Sequence, residues 1–265
     1  MKEFIINTVK EAGKIAMDYL GNAKISMKKP KDFVTEADIA VEKFIVSKIK
    51  ETYPNHNIIG EEEDYEKTNS DFTWYIDPID GTANYAHADI HFAISVGIKK
   101  GNEIEYGIVY LPMINELYFA QKNQGAFLNG EKIQVSKIDN LKSAVIQSGI
   151  STQESKIDDS LKLIKELSTK ACRARDLGFC AGQLAFVAAG RSDGLVKVQQ
   201  HPWDYAAGIL LITEAGGKVT DENNKDFIVG DKNSMQNIIA SNNLFHDQLI
   251  DLVNNINIDM DNPWW

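Results

Sequence analysis

The sequence predicts an α+β fold that passes into α/β alternation, and three observations carry that prediction. Two early segments space their apolar residues as amphipathic helices do. A succession of short β-branched and aromatic runs then closes on an Asn-Gly turn, and from about residue 142 strand-like and helix-like patterns alternate. A chain of 265 residues is long enough to bury most of its apolar surface, as one large domain or as two halves sharing an interface. Its texture divides it into an α+β half, 1–141, and an α/β half, 142–265. No internal repeat, low-complexity tract or Gly/Ser linker separates them, so the halves are expected to pack as one unit with a functional site between them.

Over 4–20, Ile5, Val9, Ala12, Ala16 and Tyr19 recur at helical spacing and Gly21 supplies the stop. A second helix starts after Thr35, turns Val41, Phe44, Ile45 and Ile49 inward, and ends before Pro54. Strands are expected over 57–59, 73–76, 92–98, 104–111 and 117–120, then a hairpin turned by Asn129-Gly130, a pair suited to the positive φ angles of a two-residue loop. The second half reads as strand 144–149, helix 154–167, strand 173–177, helix 180–190, strand 194–198, helix 203–215, strand 238–241 and helix 243–254. The closing D-M-D-N-P-W-W reads as a frayed tail, with docking by Trp264 and Trp265 the alternative.

Composition narrows the function classes. Hydrophobic content of 43% and charged content of 25% are those of an ordinary soluble globule. A net charge of -10 argues against broad contact with nucleic acid or anionic membrane, because phosphate backbones are met by clustered Lys and Arg. The first residues mix acidic side chains into a helical period where a signal peptide needs an unbroken apolar stretch, and no run approaches ~18 apolar residues. The expected location is the cytoplasm. Cys172 and Cys180 are too few for a four-ligand zinc site, and the expectation is two reduced thiols.

The most informative segment is W-Y-I-D-P-I-D-G-T-A-N-Y, residues 74–85. Pro78 fixes its own φ and biases Asp77 toward extended backbone, so the strand is expected to end there and the chain to turn at Gly81. Asp77, Asp80 and a turn carbonyl such as that of Ile79 are hard oxygen donors, which suit Mg2+ or Mn2+ rather than zinc. The N–H groups of Gly81 and Thr82 can address an anion if a helix or nest begins there. An Asx turn at Asp80, with Asp77 paired to a lysine, explains the same residues without chemistry. Glu61, in G-E-E-E after Ile58-Ile59, would emerge from a strand end as Asp77 does, or belong to a solvated acidic loop. Asp204 opens a helix in H-P-W-D-Y-A-A-G, as a cap or as a further ligand. Asp38, three residues after Thr35, is either half of a capping box or a partner for Thr82 in orienting a water.

K-D-F-V-T-E-A-D, G-E-E, W-Y-I-D-P-I-D-G-T-A-N-Y and H-P-W-D-Y-A-A-G-I-L-L-I-T-E-A-G-G, in this order, resemble the inositol monophosphatase family over nearly the whole chain. The resemblance implies a layered αβαβα sandwich, usually a homodimer, and Li+-sensitive hydrolysis of a small phosphorylated metabolite dependent on two or three Mg2+, with Mn2+ a substitute. It implies that Glu61, Asp77, the Ile79 carbonyl, Asp80 and Asp204 are metal ligands, that Asp38 and Thr82 activate the attacking water with Glu61, and that the Gly81 and Thr82 amides bind phosphate. Divalent ions can carry out such a displacement without a protein nucleophile. The lysine that often precedes the V-T motif in the family falls at Met27, beside Lys28 and Lys29.

One departure bears on substrate. Inositol-specific members carry a glutamate a few residues before H-x-W-D, to accept hydrogen bonds from sugar hydroxyls, whereas this chain has Lys197. A lysine cannot accept, and it favours a further anion. Arg173 and Arg175 share a strand face and could extend the patch, with the loop near Gly178 also expected to select substrate; Lys197 as a solvated surface lysine is the alternative. The expected function is therefore hydrolysis of inositol monophosphate or a related sugar phosphate. Action on NADP(H) or fructose 1,6-bisphosphate is the alternative within the family, and a non-catalytic metal-binding protein the alternative outside it. A P-loop is absent, and the spacing of Asp77 and Asp80 is not the D-x-D of an aspartyl-phosphate enzyme.

Overall fold

The computed structural model describes residues 1–29 and 31–262; Trp264 and Trp265, and with them the reading of the tail, lie outside the described residues. In chain order the elements are α1 (Lys2–Tyr19), β1 (Ile25–Lys29), β2 (Asp32–Thr35), α2 (Glu36–Thr52), β3 (Asn57–Gly60), β4 (Phe72–Asp80), α3 (Thr82–Ala86), β5 (Ala93–Lys100), β6 (Glu103–Leu111), β7 (Glu116–Gln121), β8 (Gly125–Leu128) and β9 (Glu131–Ile133). The remainder are β10 (Val145–Gln147), α4 (Ile157–Lys170), β11 (Arg173–Arg175), α5 (Ala181–Ala188), β12 (Gly194–Gln200), α6 (Pro202–Glu214), β13 (Lys218–Thr220), β14 (Gln236–Ser241) and α7 (His246–Asn254).

Two sheets result. The seven-stranded one runs β3-β4-β5-β6-β7-β8-β9, parallel only at β3/β4 and otherwise an antiparallel meander. The five-stranded one runs β11-β10-β12-β14-β13, with β10 parallel to both neighbours. Because strand side chains alternate, each sheet feeds two cores. Trp74, Ile76, Val96 and Ile108 pack under α1 and α2. Tyr75, Ala93, Val109 and Tyr118, from the opposite face, meet α5, α6 and the inner face of the second sheet at Leu195, Ile238 and Ala240. Ile146, Val196 and Ile239 turn outward to α4 and α7 at Leu163, Leu167 and Leu249. The order of layers is αβαβα. The middle helix α6 sits very close on the first sheet: a Cβ on Gly97 would come 2.7 Å from Ala206 Cβ, and one on Gly107 2.6 Å from Ala207 O.

Several local expectations are corrected. The β1/β2 hairpin and β13 were not anticipated from the pattern, being short and weakly periodic, and the helix left open after Gly81 is present as the five-residue α3. Strand β4 does not end at Asp77 but continues to Asp80, with Asp77 opposite Ser95, Asp80 opposite Ala93, and the register shifting between them. Pro78 is accommodated in that irregularity, where a missing N–H interrupts the ladder least. Strand β11 stops at Arg175 rather than residue 177, and α7 begins at His246 rather than residue 243. The Asn129-Gly130 turn is present, with φ of 49° and 90°.

Candidate active site

Four structural ends converge on one cleft of about 500 Å³, whose walls include Lys28, Glu61, Asp80, Lys197, Asp204 and Lys232. Glu61 follows β3, Asp80 ends β4, Asp204 lies in the first turn of α6, and the neighbouring wall comes from the start of α5. Asp77 shares the face of Tyr75, two residues earlier, and so points from the first sheet toward the middle helices rather than toward α1 and α2. It is buried.

Asp80 ties the layers together. Its two oxygens accept the backbone N–H groups of Cys180 at 2.7 Å and Gly182 at 3.0 Å, so a side chain from β4 caps α5 across 100 residues of sequence. Helix N-termini stabilise negative charge, and here they hold the carboxylate in place. Asp204 accepts the His201 N–H at 2.7 Å and completes a capping box, so its expected local role is present, at the edge of the cleft. Asp77 accepts the Ile79 N–H at 3.1 Å.

Asp38 makes the hydrogen bonds of both its alternatives at once. One oxygen accepts the Thr35 N–H at 2.8 Å in a capping box; the other accepts the Thr82 hydroxyl at 3.1 Å. Thr82 also lies 3.1 Å from the Ile79 carbonyl, which links this pair to the β4 end. Gly81, at φ 89°, precedes the turn of α3 and brings the 81 and 82 amides to its start.

The acids perturb one another. Burial lifts Asp77 and Asp204 well above the usual carboxylate range, and the charges of Glu61 and Asp80 add to it in both. Glu61 is raised by burial, against the opposing charge of Lys28, and its carboxyl is in hydrogen-bonding contact with that of Asp77. Burial raises Asp80 to about 6, although the N–H groups of Cys180 and Gly182 and the charge of Lys197 oppose it. Asp38 is raised by burial against the hydrogen bonds from Thr35 and Thr82.

Lys28, not Met27, supplies the lysine of this region. Met27 is 65% exposed, whereas Lys28 Nζ lies 3.2 Å from Glu61 and 2.7 Å from Glu62. The pairing of β1 with β2 shifts between Met27 and Lys29, and Lys28 sits inside that irregularity. Nothing is described of the Lys29 side chain. Burial pulls Lys28 down, but the charges and hydrogen bonds of Glu61 and Glu62 leave it raised overall.

Among the described residues no three His, Cys, Asp or Glu side chains already form a cage for a cation. The donor chemistry nonetheless fits a hard divalent cation, since it consists of carboxylates and a carbonyl whose mutual repulsion a cation would relieve.

Of the substrate-side expectations, Lys197 and Gly178 line the cleft, whereas Gly81, Thr82 and Arg175 are not among its walls. Arg173 and Arg175 are exposed on the edge strand β11, because the face they share points away from the core. Sequence reasoning missed Lys232, which lines the cleft and pairs with Asp64 at 2.6 Å, and Glu42, which holds the loop after Gly60. Glu42 did carry a signal: a charged residue beside Val41 and Ile45 on the buried face of α2.

Comparison with known proteins places this geometry. The model of the inositol monophosphatase family matches residues 1–257. A Thermotoga maritima protein named fructose-1,6-bisphosphatase/inositol-1-monophosphatase is 38% identical over 256 residues, 96% of each chain. The Nus factor SuhB of Escherichia coli is 38% identical over 221 residues, 82% of this chain and 80% of that one. The solved structure of the Thermotoga maritima IMPase TM1415 superposes with a TM-score of 0.87 at 37% identity, covering 95% of this chain and 96% of that one. The fold is that of phosphatases of small phosphate esters. The chain belongs to the inositol monophosphatase family. No helix among the described residues is long and apolar enough to cross a membrane.

Proposed function

We propose that the chain hydrolyses inositol monophosphate or a closely related sugar phosphate in a Mg2+-dependent reaction. Glu61, Asp77, the Ile79 carbonyl, Asp80 and Asp204 hold two or three ions, and Mn2+ can replace Mg2+. When bound, the ions supply positive charge to the phosphate oxygens and the departing alkoxide and make water a better nucleophile. The observation that carries this reading is the convergence of Glu61, Asp80 and Asp204 on one cleft, with Asp77 buried beside them and all four repelling one another.

The chain's own groups orient the reaction. Thr82 gives its hydroxyl hydrogen to Asp38, which leaves its oxygen lone pairs to accept a hydrogen from water. In this reading Glu61 receives a proton, and the Gly81 and Thr82 amides at the start of α3 donate to the phosphate. Lys197 and Gly178, in the cleft wall, meet the part of the substrate beyond the phosphate. Arg175, exposed on β11, stands outside the cleft wall.

The lysines favour a second reading of substrate. Lys197 and Lys232 in the wall suit an additional anionic group, as in a sugar bisphosphate or NADP(H), and the Thermotoga relative's name includes a bisphosphatase activity. Phosphate release measured across inositol monophosphate, fructose 1,6-bisphosphate and NADP, with and without Mg2+, tests both readings, and release from none of them would leave a non-catalytic cation-binding protein. Inhibition by Li+, a homodimeric assembly and a cytoplasmic location complete the proposal; sedimentation and a Li+ titration check the first two.

A further inference from the structure

Glu42 is fully buried on α2, beneath the loop that carries Glu61. Its two oxygens are committed: one accepts the Glu62 N–H at 2.9 Å, the other the Glu63 N–H and the Tyr65 hydroxyl, each at 2.9 Å. On the other side of the loop's first residue, the Glu61 N–H donates to the Ile76 carbonyl of β4 at 3.2 Å. The main chain around Glu61 is therefore clamped from both sides, to the sheet before it and to α2 after it. An amide could not replace this carboxylate, because its NH2 would face an N–H donor where an acceptor is needed. Gly60 leaves the space the carboxylate fills: a Cβ there would lie 2.6 Å and 2.8 Å from the two Glu42 oxygens.

We propose that Glu42 is a positioning residue for cation binding: it fixes the direction of the 61–63 loop so that the Glu61 side chain faces Asp77 and Asp204, without itself touching ion or substrate. The proposal rests on the assignment of Glu61 as a metal ligand. Supporting groups of this kind are commonly worth about ten- to a hundredfold in metal affinity.

The test is a Mn2+ titration of chelator-stripped protein, read from the electron paramagnetic resonance signal of free Mn2+, with circular dichroism and thermal unfolding on the same samples. Glu42→Gln and Gly60→Ala are compared with the unsubstituted chain and with Glu61→Gln. Gly60→Ala displaces only the end of a flexible side chain, so it decides the matter alone if Glu42→Gln does not fold. Both variants are expected to bind Mn2+ about ten- to a hundredfold more weakly while retaining the native spectrum. A lower melting temperature with Mn2+ affinity within about twofold of the unsubstituted chain would reduce Glu42 to a structural anchor and overturn the proposal. If Glu61→Gln itself binds Mn2+ normally, the ligand assignment fails and the proposal falls with it; if Glu61→Gln weakens binding while Glu42→Gln and Gly60→Ala do not, only the role of Glu42 is wrong.

Discussion

At the scale of single residues, the informative feature is that side chains with an ordinary structural duty also reach the residues proposed for the chemistry. Asp38 caps α2 with one oxygen and receives Thr82 with the other, so its two duties can be separated by experiment. In Asp38→Asn the carbonyl oxygen can keep the cap while the NH2 meets Thr82, which must then accept instead of donate. Folding is expected to survive and kcat to fall about 10²-fold or more, the scale of a positioned acid-base group. Normal turnover in the folded variant would leave Asp38 as a cap alone. Lys197 makes a different prediction: Lys197→Glu should lower kcat/KM on a bisphosphate or NADP relative to inositol monophosphate by roughly ten- to a hundredfold, as the loss of one charged hydrogen bond implies. Equal losses on all substrates would show that Lys197 does not read the second anion.

At the scale of elements, the same acids act as joints between layers. Asp80 fastens α5 to β4, and His246 does comparable work in the second sheet. His246 opens α7 and is buried, with its ring nitrogens each 2.9 Å from a hydroxyl, Thr220 on β13 and Ser241 on β14. Burial lowers its pKa from 6.5 to about 4, with Lys218 adding to the effect. The unfolded chain therefore takes up this proton first. The neutral histidine stabilises the fold fully above about pH 6.5, and that contribution is lost as the pH falls toward 4. In His246→Phe, stability at pH 7.5 should drop and its decline between pH 6.5 and 4 should become shallower, as measured by urea midpoints. An unchanged slope would show that another group titrates there. Elements with long periodic patterns, such as α1, α2 and α6, were legible in sequence because burial imposes their period locally. The β1/β2 hairpin and β13 were not, since three to five residues hold too little pattern.

For the whole molecule, what the sequence disclosed and what it withheld differ in range. Asp77, Asp80, Glu61 and Asp204 were readable because each stands beside local punctuation: a proline, a glycine turn or a helix start. The capping of α5 by Asp80, the hold of Glu42 on the 61–63 loop and the pairing of Lys28 with Glu61 join residues 20 to 102 positions apart, and only packing reveals them. The exposed position of Arg175 was misjudged for the same reason: strand parity gives a shared face but not which side is the cleft.

The collected acids also predict how the molecule responds to pH. Their folded-state pKa values are raised, Asp80 to about 6, so the metal-free fold is favoured by these groups at low pH and loses that contribution as pH rises through the folded values. A cation competes with those protons. The rise in melting temperature on adding Mg2+ should accordingly be larger at pH 8 than at pH 5.5, and a shift independent of pH would mean that the ion binds elsewhere.

The central claim is that this cleft is a cation-dependent phosphatase site, and inorganic phosphate release from inositol monophosphate tests it most directly. Protein stripped by exhaustive chelation should release none, and readdition of Mg2+ should restore turnover, saturating in the high micromolar to millimolar range as an order of magnitude for a cation held by few protein ligands. Undiminished phosphate release in the presence of excess chelator would contradict the account.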